Sequence, residues 1–265
     1  VDLAQSRIVL TGAASGIGAA LLARLATYPC QIVAADMNGD CLAETLQKIA
    51  SPQAQIRPYV GDIGTPEGLE ALFAAALGQM GRIDLFIANA GFAYYEKLGP
   101  ADWGHIEQIY RVNVYSPIYA AQKMAELYGE GPYKMVITAS TMGHVAIPGY
   151  SLYASTKAAL HRFAEAYRFE LNDRQKLMLV YPIATRTHFF DTTATIPFPS
   201  QTPDYVAGRI IRGIEGDKTS VCPSVLFHIF SLLDRFQPWL RRYIVQGGEA
   251  RQLRAWLGKR GGNLS

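Results

Sequence analysis

The stretch RIVLTGAASGIG, Arg7 to Gly18, decides the fold. Its first part is apolar at successive positions rather than alternate ones, the pattern of a strand covered on both faces. The run then meets Gly12, Gly16 and Gly18, and these lead into the helical apolar pattern of Ile17 to Leu25. Glycines let the backbone turn tightly and approach a ligand closely, while a helix N-terminus directs free N–H groups at an anion such as a pyrophosphate. Such a cluster can also be only a structural turn; its place directly after the first strand favours the ligand-binding reading.

Outward from this stretch the same alternation repeats. Strand-length apolar runs recur as QIVAAD (Gln31–Asp36), IRPYVGD (Ile56–Asp62), DLFIANAG (Asp84–Gly91), KMVITAS (Lys134–Ser140) and LMLVYP (Leu177–Pro182). Helical periodicity separates them, as in Leu69 to Leu77 and Ala154 to Leu171. Strand alternating with helix predicts an α/β fold, a doubly wound parallel sheet with helices on both faces. The domain is expected over residues 1–222, with a less regular substrate segment near 188–203 and an extension over 223–265. The second strand ends at Asp36, 20 residues after Gly16, where an acidic residue would meet the adenosine ribose hydroxyls of a dinucleotide.

Composition sets the outer bounds. With 49% hydrophobic and 18% charged residues, the chain is too apolar for disorder, and no uninterrupted apolar run is long enough for a membrane span. The N-terminal residues enter a strand at once, so they do not read as an export signal. Cys30, Cys41 and Cys222 are sparse, odd in number and without metal-ligand spacing, which points to a reducing cytoplasm and to neither a disulfide framework nor a zinc site. The net charge of +3 is uneven: residues from Lys218 onward carry eight basic and two acidic side chains, leaving seventeen basic against twenty acidic before them.

Candidate chemistry lies in YSLYASTK, Tyr150 to Lys157. Offsets of three, four and seven residues return to one helical face, so spacing alone lets either tyrosine partner Lys157. A phenol near its ordinary pKa of about 10 is a poor acid–base group at neutral pH, and a neighbouring ammonium favours the phenolate.

Taken together, TGAASGIG, Asp62, the NAG of Asn89–Gly91, Asn113 in VNVYSP, Ser140 in ITAS, and YASTK resemble the short-chain dehydrogenase/reductase family. The resemblance runs from about Arg7 to Thr187, and Asn113, Ser140, Tyr153 and Lys157 follow one another at intervals of 27, 13 and 4 residues. It implies a Rossmann-type fold and a catalytic set of Asn113, Ser140, Tyr153 and Lys157. In that set Ser140 holds the substrate oxygen and Tyr153 exchanges its proton. Lys157 binds the nicotinamide ribose and lowers the tyrosine pKa, and Asn113 supports a water chain to Lys157. The resemblance also implies a cofactor resting on Gly12, Ser15, Gly16, Ile17 and Gly18. Asp36 would lie at the adenosine ribose, Asp62 and Ile63 at adenine, and Asn89 and Gly91 near the second ribose. Tyr153, Lys157, Thr185 and Thr187 would lie at the nicotinamide end. Where the family usually has Pro-Gly, this chain has Pro182-Ile183.

The resemblance assigns the proton to Tyr153. Pro148 and Gly149 mark a turn, so Tyr150 is expected before the helix or at its first residue, with Ser151 as its cap, and its ring either covers the substrate or packs. A largely aromatic, apolar substrate wall is expected from Tyr94, Tyr95, Met142, His144, Tyr150, Phe189, Phe190 and Phe198. Such a wall suits a hydrophobic secondary alcohol or ketone. Leu226, Phe230, Leu233, Phe236 and Leu240 recur at helical spacing among arginines, a basic amphipathic pattern that fits a membrane surface or, as preferred here, packing on the protein itself. The expected function is NAD(H)-dependent alcohol dehydrogenase or carbonyl reductase by direct hydride transfer, with NAD(H) preferred over NADP(H). The competing reading is a non-catalytic NAD-binding scaffold or sensor docking through its tail. A homodimer or homotetramer is implied by resemblance, through the helices around Asp102–Leu127 and Tyr153–Leu171; no nucleic-acid partner is expected.

Overall fold

The computed structural model describes residues 2–187, 199–224 and 246–261. All six apolar runs are strands: β1 Arg7–Thr11, β2 Gln31–Asp36, β3 Gln55–Val60, β4 Leu85–Ala88, β5 Lys134–Thr138 and β6 Leu177–Val180, joined by the two-residue β7 Ser220–Val221. They form one parallel sheet in the order β3-β2-β1-β4-β5-β6-β7. Along β1, Ile8 and Leu10 face one side and Val9 the other, and all three are fully buried. One side packs on α1 (Gly16–Leu25), through Leu21, Leu22 and Leu25, and on α7 (Pro203–Glu215), through Ile210 and Ile214. The opposite side packs on α3 (Pro66–Met80), α5 (Ser116–Tyr128) and α6 (Ser151–Tyr167), through Phe73, Met124 and Leu160. Strands covered on both faces need no polar alternation, which is why β1, β2, β4, β5 and β6 read as continuous apolar runs; β3 lies at the sheet edge, with its residues half-buried or exposed.

Helix ends are chemically marked. Asn38 caps α2 (Gly39–Gln47), Thr65 caps α3, Asp102 caps α4 (Trp103–Tyr110) and Thr202 caps α7, each side chain accepting a first-turn N–H. The expected start of α6 shifts by one position: Tyr150 occupies the cap position without a side-chain cap bond, and Ser151 is already helical. Gly149 ahead of it has φ +90°, and a Cβ there would stand 2.5 Å from the Tyr95 ring, so the turn needs glycine. Helix α6 stops at Tyr167, short of the expected Leu171. After β7 the described chain resumes before α8, Gly247–Gly261. Residues Leu226 to Leu240, with their amphipathic pattern, lie outside the described residues. Among the described residues no helix is long and apolar enough to cross a membrane.

The order of the sheet creates a crevice. Connections from β1 and β4 leave in opposite directions along the sheet, so their C-terminal ends splay apart, the place where open α/β sheets bind ligands.

Candidate active site

A cleft of about 1240 Å³ opens at the C-terminal ends of the strands. Its floor is the glycine-rich turn. Gly12 (φ +67°) and Gly16 (φ +55°) adopt the left-handed backbone, and a Cβ on Gly18 would fall 1.8 Å from the Gly12 carbonyl oxygen. Gly12 and Gly16 line the cleft beside Ser15 and Ile17, whereas Gly18 lies behind them and lets α1 close onto the turn. Unlike α2, α3 and α7, helix α1 has neither a side-chain cap bond nor an acid in its first turn. Its N-terminal donors beside an open cleft suit the pyrophosphate of a dinucleotide, so these residues fit a nicotinamide cofactor. Gly18→Ala is expected to lower stability by about 1–3 kcal/mol and to weaken cofactor binding, because the obstructing atom is backbone. Thermal unfolding with and without NAD would show both losses.

Asp36, expected at the adenosine ribose, lines the cleft at the end of β2. Its carboxylate accepts from the Ala14 N–H at 2.9 Å and the Asn38 N–H at 3.0 Å, which ties the end of β2 to the glycine turn. Met37 beside it is 75% exposed, and both residues line the cleft. Asp62 and Ile63 line the same end, with the Asp62 carboxylate accepting from the Gly64 N–H at 2.8 Å. Asn89 lines the cleft while its side chain braces three strand ends, donating to the Thr11 and Gly12 carbonyls and accepting from the Thr138 hydroxyl.

The four residues of the candidate catalytic set converge where β5 and α6 meet the cleft. Ser140, Tyr153 and Lys157 line it, all at least nine-tenths buried. The Ser140 hydroxyl hydrogen-bonds with Tyr153, an interaction that favours the phenolate. Lys157 donates from Nζ to the Thr138 carbonyl at 2.9 Å and stands 5.6 Å from the centre of the Tyr153 ring. Asn113, completely buried, accepts at Oδ1 from the Phe92 N–H and donates at Nδ2 to the Phe92 carbonyl and the Thr156 hydroxyl. Gly91 separates Asn113 from Lys157: a Cβ there would lie 3.0 Å from Asn113 Oδ1 and 3.5 Å from Lys157 Nζ.

Burial outweighs pairing at the two titratable groups. It pushes Tyr153 up to about 12, against the smaller opposing effect of Ser140, and pushes Lys157 down to about 8. The expected depression of the tyrosine pKa by Lys157 is therefore not a property of the protein alone.

The far part of the cleft is mostly apolar, with Met142, Val145, Ile147, Ile183 and Ala184 in its wall. Thr185 and Thr187 also line the cleft; Thr185 bridges to Gln201, and Thr187 packs over Gly16. Of the expected substrate residues, Met142 is in the wall, but Tyr94, Tyr95, His144 and Tyr150 are not among the lining residues. Tyr94 stacks on His105 and donates its hydroxyl to Gln108. His144 packs against His161 and Tyr181, and burial lowers its pKa. Tyr150 is 2% exposed and packs on Tyr95 at a ring separation of 4.9 Å, the packing role of the two considered for it. Phe189, Phe190 and Phe198 lie outside the described residues. Pro199, in the expected substrate segment near 188–203, lines the cleft, and Ser224 and Glu249 do so unexpectedly; these two are remote in sequence from every motif, and no local pattern marks them.

Sheet order, uncapped glycine turn and buried Ser–Tyr–Lys set together define a nucleotide-cofactor oxidoreductase fold and site. The chain belongs to the short chain dehydrogenase family, whose model matches residues 6–195. This is a family of oxidoreductases that bind a nicotinamide cofactor. The chain is 33% identical over 178 residues to the 1-deoxy-11-beta-hydroxypentalenate dehydrogenase of Streptomyces avermitilis, a match covering 65% of each protein. A Burkholderia phymatum short chain dehydrogenase/reductase solved in complex with NAD superposes with TM-score 0.78 at 20% identity, over 91% of this chain and 96% of that one. A Sphingobium yanoikuyae short-chain dehydrogenase in complex with NADPH gives 0.76 at 22%, over 91% and 97%.

Proposed function

We propose that this protein interconverts a hydrophobic secondary alcohol and its ketone, using NAD(H) in preference to NADP(H). The observation that carries the proposal is the convergence of the Ser140 and Tyr153 hydroxyls and the Lys157 ammonium at one wall of a cleft whose far part is apolar. The Streptomyces relative, by its name, is a dehydrogenase of a hydroxylated compound. A cofactor-binding scaffold would need neither the buried, desolvated Lys157 nor a buried phenol beside a serine hydroxyl, both costly to stability.

In this reading the nicotinamide cofactor supplies or accepts the hydride. Ser140 holds the substrate oxygen by hydrogen bonding, and the Tyr153 hydroxyl gives that oxygen its proton during reduction or takes it back during oxidation. Lys157 keeps a positive charge near the phenol and the ribose, steadied by the Thr138 carbonyl. Asn113, tied to Phe92 and Thr156, holds the neighbouring helix turn against the Lys157 side of Gly91.

The pKa values give the two directions different pH profiles below the point where Lys157 loses its charge. Ketone reduction needs a protonated Tyr153, present up to about 12, and a charged Lys157, present only below about 8. Its kcat/KM should be level at lower pH and fall as pH rises through about 8. Alcohol oxidation needs the phenolate beside the same charged Lys157, so it should rise with pH only until the ammonium is lost near about 8. Initial-rate profiles with apolar ketones and alcohols at saturating cofactor test this; ketone reduction that increases above pH 8 would contradict the roles given to both residues.

A further inference from the structure

Helix α8 closes one side of the substrate half of the cleft. Gln246, just before it, donates its side-chain N–H to the Ala146 carbonyl at 3.0 Å, and Trp256 meets Tyr95 edge-on with ring centres 5.0 Å apart. Leu253 lies close over Gly149. This docking carries Glu249 into the cleft lining, on the same wall system as Met142, Val145 and Ile147.

Glu249 differs from the other acids of the cleft. Asp36 accepts two backbone N–H groups, Asp62 accepts one, and Glu107 pairs with Arg111 at 3.1 Å. Among the described residues no donor or cation engages Glu249; burial alone acts on its carboxyl and raises its pKa, and its charge in turn raises that of Tyr95. A half-buried carboxyl in an apolar wall is costly unless a donor reaches it. Among the described residues Tyr95 feels the charge of Glu249 without a hydrogen bond between them, and a donor on a molecule that enters the cleft can satisfy the carboxyl. A carboxyl can accept a hydrogen bond whether ionised or protonated, and a neutral hydroxyl loses less hydration on entering an apolar cleft than an ammonium would.

We propose that Glu249 is a specificity-determining residue that accepts a hydrogen bond from a substrate hydroxyl remote from the reacting carbon, so that the favoured substrates are apolar hydroxyketones and the matching diols. This deepens the carbonyl–alcohol reading of the cleft and rests on it.

The test uses ω-hydroxy-2-alkanones of increasing chain length against 2-alkanones of equal length. Dissociation constants are measured by calorimetry on the full chain saturated with oxidised cofactor, where no ketone can react, and kcat/KM is measured separately with reduced cofactor. The wild-type protein should bind the hydroxylated ketone about tenfold more tightly at the best-fitting length. Glu249→Leu should lose that preference while binding the plain ketones at least as well, and Glu249→Gln should keep part of it. Unfolding temperatures within the wild-type range would show that both variants are folded. No preference at any length, or a preference that survives in Glu249→Leu, would overturn the proposal. A binding preference without reduction of any ketone would instead overturn the proposed function and leave Glu249 as a recognition residue. Reduction without preference would do the reverse.

Discussion

Tyr153→Phe is expected to lower kcat for ketone reduction by about a thousandfold, while the Kd for NADH stays within a few-fold of the unmodified protein. The substitution deletes one hydroxyl and almost no volume, and that hydroxyl both bonds with Ser140 and faces the cleft. Tyr150→Phe is the matched control three residues earlier. Tyr150 is packed against Tyr95 and is not among the cleft-lining residues, so its variant should retain activity within a few-fold. Steady-state rates and fluorescence titration of NADH for the two variants separate proton transfer from packing. The reverse ranking would show that the wrong tyrosine had been assigned.

The second large effect concerns coenzyme choice. Asp36, expected at the adenosine ribose, has both carboxylate oxygens already accepting backbone N–H groups, which fixes the carboxylate in place. A ribose diol can donate to its remaining lone pairs, whereas a 2′-phosphate would meet like charge in a partly desolvated crevice. The adjoining positions Ala13, Ala14, Ser15 and Met37 supply no cation. NADH should therefore be preferred over NADPH by at least about tenfold in kcat/KM, roughly 1.4 kcal/mol. Asp36→Ala combined with Met37→Arg should move that ratio toward NADPH by a similar factor or more. Met37 is largely exposed, so an arginine there costs little packing. Rates with both coenzymes for the wild-type and double-variant proteins check this, and equal use of NADPH by the unmodified protein would contradict the role of Asp36.

Much of this was legible in the sequence for a physical reason. A parallel strand buried on both faces leaves a continuous apolar run, so β1, β2, β4, β5 and β6 could be read directly, and the acidic end of β2 fell at Asp36 as expected. The two-residue β7, Ser220–Val221, is too short to leave such a run. What sequence could not give was side-chain direction. Tyr94, His144 and Tyr150 are close in sequence to functional positions, yet tertiary packing turns them to Gln108, to His161 and to Tyr95. Glu249 shows the opposite failure: about a hundred residues separate it from the Tyr150–Lys157 helix, and only the docking of α8 through Trp256 and Gln246 brings it to the cleft. The effect of burial on Tyr153 and Lys157 was likewise invisible, because a four-residue spacing reports adjacency but not the dielectric around it.

The central claim, that this cleft transfers a hydride between NAD(H) and an apolar secondary alcohol or ketone with Tyr153 as the proton donor, is tested most directly by isotope transfer. NADH deuterated at its transferable position is incubated with a panel of apolar ketones, and the alcohol products are analysed by mass spectrometry and chiral separation. One deuterium is expected on the carbinol carbon of a single enantiomer, with the product disappearing in Tyr153→Phe. NADH that binds the protein but passes no deuterium to any ketone, or a labelled alcohol that Tyr153→Phe still makes at the wild-type rate, would contradict it.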